Sequence, residues 1–177
     1  DALNTEAFNL IANASLSNDI KIDLIKCLSS NGGIDGMIIG QAIDCYFENQ
    51  KLELNQLEFL HIHKTAKLIA ASLKMGAIIC EYDLQTQEKL FNFGINLGLL
   101  FQIQDDIIDE TCTSVQAGKT THNDSSKNSF VNLLGLDGSI KSADDLALKC
   151  LETLNTFDSN LKESLEQLLL EYINRLK

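Results

Sequence analysis

Residues 101–109 read FQIQDDIID and place Asp105, Asp106 and Asp109 in a long apolar segment that contains no basic residue. In a helix, side chains three and four residues apart share a face, so the three carboxylates would crowd together. Like charges repel at this distance, and a fold tolerates such crowding mainly where a cation binds. Carboxylate oxygens suit Mg²⁺, which commonly bridges them to phosphate oxygens. The stretch therefore predicts a helix that carries a magnesium diphosphate site.

A bland alternative is that the acidic cluster is a solvated helix face. Two observations favour a ligand instead. The cluster lies late in its helix, where the helix dipole disfavours negative charge. Counting back from Asp109 through Asp105, Gln102, Gly98 and Gly94 also gives steps of three or four residues, which is one continuous stripe. Glycines on that stripe indicate close approach by another helix or by an extended ligand.

Composition limits the class of protein. The chain has 177 residues, 45% of them hydrophobic, with no proline and a formal net charge of -11. We expect one domain over residues 1–177 that does not bind nucleic acid. No run of about eighteen apolar residues and no signal-peptide pattern occurs, which predicts a cytoplasmic protein without stable membrane insertion. Five dispersed cysteines without a C-x-x-C pair predict reduced thiols.

Apolar residues recur at spacings of three and four along most of the chain, so the predicted fold class is all-α. Ser17 and Asp83 are predicted helix caps, and a capping box at Asn160 and Glu163 is predicted to open the last helix. The polar segment 111–129 is predicted to be a loop. The other predicted helices cover about residues 3–14, 20–28, 32–45, 54–80, 83–110, 130–136 and 142–157.

Polar residues interrupt two of these helices. Gln41 and Asp44 are three residues apart and share a face, as do Lys64 and Lys67. The lysines could meet phosphate oxygens as compact point charges. Alternatively they are exposed, and Asp44 forms a surface ion pair with one of them. Spacing alone leaves both interpretations open.

Taken together, these motifs resemble the trans-isoprenyl diphosphate synthase family, most closely its bacterial farnesyl and geranylgeranyl diphosphate synthases. The resemblance rests on FQIQDDIID at 101–109, GQAID at 40–44, HKT at 63–65, GK at 118–119 and NLLGL at 132–136. It implies an all-α helical bundle of the isoprenoid synthase, or prenyltransferase, type. The family's first aspartate-rich motif and the arginine pair that follows it are absent. The chain is therefore expected to be the carboxyl-terminal part of a polyprenyl synthetase domain, with the amino-terminal helices missing.

The resemblance also implies a reaction, the condensation of isopentenyl diphosphate with an allylic diphosphate such as dimethylallyl or geranyl diphosphate. The expected cofactor is Mg²⁺, with Mn²⁺ possible, held at Asp105, Asp106 and Asp109. The expected product is farnesyl diphosphate, and the expected assembly is a homodimer. The growing hydrocarbon chain is expected to pack against the apolar face with Gly94 and Gly98.

Individual roles follow from the positions that match the family motifs. The residues implied in catalysis are Lys64, Thr65 and Gln102, and those implied in substrate binding are Gln41, Asp44, Lys64, Lys119 and Lys127. Arg175 and Lys177 resemble a basic tail that closes the site in some members, although cations at a helix end also simply favour the dipole.

Three alternatives remain open at this point. The product could be geranylgeranyl diphosphate or a longer chain, because the region that sets product length in the family is absent. The chain could be a catalytically silent fragment or a regulatory subunit that pairs with an active partner. It could also be a related terpene cyclase or head-to-head condensing enzyme, although such enzymes seldom combine FQxxDDxxD with KT.

Overall fold

The computed structural model describes residues 2–48, 50–111 and 128–173, and within these ranges all regular structure is helical. Two π-helical turns interrupt the α-helices: Ile34–Ile38 precedes α3, and Ile62–Ala66 joins α4 to α5. The all-α prediction is confirmed. The α-helices are α1 (Ala2–Asn13), α2 (Asn18–Gly32), α3 (Ile39–Tyr46), α4 (Leu54–His61), α5 (Lys67–Ile79), α6 (Leu84–Thr111), α7 (Phe130–Leu154) and α8 (Ser159–Ile173).

Side-chain caps begin several of these helices. Ser17 caps α2 and Asp83 caps α6, as predicted, by accepting backbone N–H groups of the first turn. The capping box predicted at Asn160 is wrong. Asp158 caps α8 instead, since its Oδ1 accepts the backbone N–H of Asn160 at 3.1 Å. The helix therefore begins before the predicted box.

Helix α7 consists of two helical segments joined at a kink, which confirms in part the prediction of two helices over 130–136 and 142–157. The kink lies at Gly135, where φ is +71° and ψ is 170°, and the second segment begins earlier than predicted, so that residues 137–141 are helical. Residues other than glycine rarely adopt that backbone conformation. The hydroxyl of Ser139 donates to the Gly135 carbonyl, and that of Ser142 donates to the Gly138 carbonyl. Polar side chains that bond back to their own helix do not need a loop.

Helix α6 lies at the centre of the main core and packs most extensively against α7 and α5. The fully buried side chains of the main core include Phe93 and Leu97 of α6 and Phe130 of α7. A second, smaller core joins α1, α2 and α5 through residues such as Ile11 and Leu24. Helix α5 contributes to both cores, through Ala77 in the main core and Ala71 in the second.

The face of α6 with Gly94 and Gly98 lies against α5. A Cβ atom on Gly98 would fall 2.5 Å from the Ala66 Cα, and one on Gly94 would overlap the Ala70 backbone. Both distances are far below van der Waals contact. The expectation that these glycines bed a hydrocarbon is therefore wrong, because the close partner is another helix.

The four cysteines in the described ranges are all free, in agreement with the prediction of reduced thiols. Cys27 and Cys150 are buried. Burial raises the pKa of the Cys150 thiol to about 12 and also raises the pKa of Cys27. Burial therefore disfavours the reactive thiolate form of both side chains.

Among the described residues, no helix combines the length and the apolar character needed to cross a bilayer.

Candidate functional site

The π-helical turn Ile62–Ala66 presents Lys64 toward α3. The Lys64 Nζ donates to the Asp44 Oδ2 at 2.6 Å, and each side chain keeps about a third of its surface exposed, 32% and 34%. A Cβ atom on Gly40 would overlap the Lys64 backbone, so only glycine lets α3 approach this closely. π-Helical turns occur frequently at functional sites because they re-aim side chains within a helix.

Thr65, the next residue of the same turn, contacts α6. Its hydroxyl donates to the Gln102 Oε1 at 2.7 Å, and both residues are half-buried. This bond fixes the orientation of the Gln102 amide. The two hydrogen bonds place Asp44, Lys64, Thr65 and Gln102 around one turn, so the structure brings together four of the predicted site residues from three segments.

The three aspartates continue the Gln102 side of α6, and all three are half-buried. Asp106 Oδ2 accepts the backbone N–H of Phe130 at 2.8 Å, which ties the start of α7 to α6. Sequence reasoning missed this contact, because the two residues are 24 positions apart and no local pattern connects them. Asp106 therefore has a structural role in addition to the predicted metal role.

The described ranges contain no group of three or more His, Cys, Asp or Glu side chains arranged to hold a metal ion. Mg²⁺ usually takes one or two protein carboxylates and completes its shell with water and phosphate oxygens. Asp105 and Asp109 supply hard oxygen donors of the required kind at the end of the stripe. The donor set fits magnesium bound together with a phosphate ligand.

Gln41 and Asp44 share a helix face, but their exposure and their hydrogen-bond partners differ. Gln41 is exposed and its amide donates to the Cys45 Sγ at 3.3 Å, whereas Asp44 is half-buried against Lys64. The alternative that Asp44 forms a surface ion pair is thus confirmed in part. Asp44 pairs with a lysine, but the pair is not fully exposed. The substrate-binding role of Gln41 stays a prediction.

Four predicted residues lie outside the described ranges. These are Lys119, Lys127, Arg175 and Lys177. Their predicted contacts with phosphate oxygens, and the closing role of the tail, stay predictions.

A shallow, open depression of about 300 Å³ lies along one face of the helical segment that carries Lys64. Lys64, Thr65, Leu68, Ile69 and Ser72 line it. A cationic side chain next to aliphatic side chains is compatible with a ligand that has an anionic head and a hydrocarbon body.

Comparison with known proteins identifies a matching family and several relatives. The family model for polyprenyl synthetase matches residues 1–168. The chain is 41% identical to the farnesyl diphosphate synthase of Micrococcus luteus over 167 residues, which is 92% of this chain and 57% of that protein. It is 35% identical to geranylgeranyl pyrophosphate synthase 4 of Arabidopsis thaliana over 164 residues, 90% of this chain and 44% of that protein.

A solved structure of a related enzyme is also similar to this chain. The geranyltransferase of Helicobacter pylori, complexed with magnesium and isoprenyl diphosphate, superposes with a TM-score of 0.88 at 50% identity. The superposition covers 98% of this chain and 58% of that one. The chain thus spans about half the length of these relatives, between 44% and 58%.

Proposed function

Because this chain belongs to the polyprenyl synthetase family, we propose that it acts in condensing isopentenyl diphosphate with an allylic diphosphate, with farnesyl diphosphate as product. The observation that carries this proposal is the arrangement around the turn Ile62–Ala66. There Lys64 is held by Asp44, and Thr65 is held by Gln102, beside an open depression that Leu68 and Ile69 also line. The aspartates of α6 continue the same side.

The reaction sets a clear electrostatic demand. The carbon–oxygen bond of the allylic diphosphate breaks, and the diphosphate leaves with the electron pair. The double bond of isopentenyl diphosphate then attacks the allylic cation, and a proton is lost to give the new double bond. The difficult step is charge separation, so fixed positive charge beside the leaving group accelerates it.

Lys64 supplies that charge in this proposal. Its ammonium is a compact cation that can turn from Asp44 toward diphosphate oxygens while staying partly shielded from water. Thr65 and Gln102 direct oxygen dipoles toward the developing allylic cation. The hydrogen bond between them removes the freedom to reorient, which lowers the cost of stabilising that charge.

Asp105, with weaker help from Asp106 and Asp109, would hold Mg²⁺ or Mn²⁺. When bound, the metal would neutralise negative charge on the diphosphate. Asp106 is the weaker candidate because one of its oxygens already accepts the Phe130 N–H. Gln41, Lys119 and Lys127 are proposed to complete the contacts with substrate.

Two further properties are proposals of the same kind. We propose that the protein acts as a homodimer in the cytoplasm, as the family resemblance implies. For the product, geranylgeranyl diphosphate is the second candidate, since the relatives include geranylgeranyl as well as farnesyl synthases at comparable identity.

The test measures two quantities on the same preparation. Calorimetric titration with inorganic diphosphate and Mg²⁺ reports binding, and conversion of labelled isopentenyl diphosphate with geranyl diphosphate reports turnover and product length. Asp105→Ala is expected to lower turnover by about 100-fold or more without loss of helicity. The matched control is Asp145→Ala, because Asp144 and Asp145 form another adjacent aspartate pair, exposed on α7.

Near-normal turnover in Asp105→Ala would contradict the site assignment. A wild-type chain that binds magnesium diphosphate but converts nothing would favour the silent-subunit alternative. If the product is longer than farnesyl diphosphate, the substrate class stands and the product assignment is wrong.

A further inference from the structure

Helix α3 carries Asp44 and is only partly buried. Gly40 is its one buried residue, while Ile39, Ile43 and Asp44 are half-buried and Ile43 packs against the main core. Hydrophobic stabilisation scales with the apolar area removed from water, so a helix with few buried residues gains less from packing than α5 or α6. Short elements with few buried contacts open readily. Nevertheless, the Asp44 Oδ2 on this helix lies 2.6 Å from the Lys64 Nζ.

A first brace lies immediately before α3. The Lys67 Nζ donates to the backbone carbonyl of Asp35 at 2.8 Å. Asp35 belongs to the turn Ile34–Ile38, in which Gly36 leaves the helical region with φ of −117° and ψ of −121°. Because the helical path is broken there, α2 cannot orient α3 by itself. The bond ties the turn to the first residue of α5.

A second brace lies just after α3. The Asn128 side chain donates to the carbonyl oxygens of Phe47 at 3.0 Å and Gln50 at 2.8 Å, and its Oδ1 accepts the N–H of Leu52 at 2.9 Å. Phe47 is the carboxyl-terminal cap of α3. One side chain thus fixes three backbone groups of the connection that leaves the helix.

The second brace is anchored on α6. Asn128 stands two residues before Phe130, whose N–H binds the Asp106 carboxylate. The backbone that presents Asn128 is therefore tied to the aspartate-bearing helix. Lys67, for its part, is three residues from Lys64 on the same helical segment. Both braces connect α3 to elements that carry other residues of the candidate site.

We propose that Lys67 and Asn128 are positioning residues that hold α3 at its two ends and thereby keep Asp44 against Lys64. The inference rests on the proposed function, because it assigns these residues an indirect effect on diphosphate binding. Lys67 does not serve as a phosphate ligand here, since its ammonium is used on a backbone carbonyl. A bond of this kind is charge-assisted and is stronger than a neutral one.

Amide hydrogen exchange of residues 39–46 tests the braces without any ligand. Lys67→Met and Asn128→Leu, near-isosteric changes that remove the donors, are expected to speed exchange in this helix by about tenfold, the factor for about 1.4 kcal/mol. Lys67→Arg keeps a charged donor and is expected to restore protection. Lys21→Met is the matched control, because the Lys21 Nζ also donates to a backbone carbonyl, that of Ala12 at 2.9 Å.

Unchanged exchange in Lys67→Met, or an equal increase in Lys21→Met, would overturn the proposal. Global unfolding is a separate outcome, recognised by faster exchange in α6 as well. In that case Lys67→Gln, a polar variant that removes the charge and shortens the side chain, replaces Lys67→Met. Protection of residues 39–46 must then fall relative to α6 for the proposal to stand.

A double-mutant cycle tests the link to Asp44. Affinity for inorganic diphosphate with Mg²⁺ is measured for Lys67→Met in the wild-type and Asp44→Asn backgrounds. We expect about fivefold weaker binding in the first background and no further loss in the second, because positioning matters only while Asp44 pairs with Lys64. Equal losses in both backgrounds would mean direct contact with the anion and would overturn the proposal.

The two measurements separate the two proposals. If the wild-type chain binds no diphosphate, the proposed function fails. The braces are then still confirmed or refuted by the exchange of residues 39–46.

Discussion

The stripe on α6 that runs from Gly94 to Asp109 has two halves, and the two halves make different contacts. In the first half, Gly94 and Gly98 lie against the backbone of α5, and nothing larger than hydrogen fits between the helices. In the second half, Gln102 accepts a hydrogen bond from Thr65, and the aspartates follow. The same 3.6-residue periodicity runs through both halves, but the contacts change from backbone packing to polar chemistry within one helical turn.

The comparison shows how the site is positioned. The glycines bring α5 and α6 so close that the turn ahead of α5 reaches Gln102 with the short side chain of Thr65. Close packing in the first half thus sets the geometry of the second. Substitutions in the two halves should therefore separate effects on folding from effects on binding.

The largest effect on stability is expected in the packing half. Gly98→Ala places a methyl group 2.5 Å from the Ala66 Cα and should lower the free energy of unfolding by about 1–3 kcal/mol. Gly76→Ala is the control, since no atom lies within 4 Å of its added Cβ, and the change should be neutral or slightly stabilising. Urea denaturation measures both. Equal stability of the two variants would break the comparison.

A smaller effect is expected where an aspartate has a structural partner. Asp106→Ala removes the acceptor of the Phe130 N–H and should cost about 1.5 kcal/mol of unfolding free energy. Asp109→Ala should leave stability nearly unchanged. Thermal unfolding without added metal measures this difference. If Asp109→Ala were the more damaging substitution, the anchoring of α7 on Asp106 would be refuted.

The hydrogen bond between Thr65 and Gln102 should contribute less to folding. Thr65→Val keeps the shape of the side chain and is expected to lower stability by about 1 kcal/mol. In the proposed reaction the same change should reduce turnover more than it weakens binding of diphosphate. A larger loss of diphosphate affinity than of turnover would place Thr65 at the anion instead of the allylic cation.

The smallest effect concerns the start of α6, far from both halves. The backbone N–H of Thr86, followed by its hydroxyl, donates to Asp83 and lowers the pKa of that carboxyl. The cap therefore stabilises the fold above the unfolded pKa, and the stabilisation disappears as pH falls through the folded pKa. Asp83→Ala should lower the melting temperature at pH 7, and the difference from the wild type should shrink as the pH falls through the folded pKa. A difference that stays constant as the pH falls would contradict this assignment.

Local patterns predicted much of the fold. The caps at Ser17 and Asp83 were confirmed, because an N-cap depends on residues within one turn. The break predicted within α7 is present at Gly135 but is shorter than predicted, and residues 137–141 are helical because the serines there satisfy their hydroxyls on their own helix. A polar composition by itself does not distinguish an exposed helix from a loop.

The candidate site was predicted less completely. Spacing placed Lys64 and Asp44 each on a helix face but left open whether they met. The structure pairs them across 20 residues of sequence. The braces at Lys67 and Asn128 could not be predicted, because each bonds to the backbone of a distant turn and backbone groups carry no sequence signature.

By itself, the sequence determined the helical class and the single face of α6 that carries two glycines, a glutamine and the aspartates, since helical periodicity is a local property of the chain. Tertiary structure alone decided that a helix and not a hydrocarbon fills the glycine face, that Asp44 is the partner of Lys64, and that Asp106 receives the start of α7. These choices depend on how distant segments pack in space, and the spacing of residues along the chain does not encode that distance.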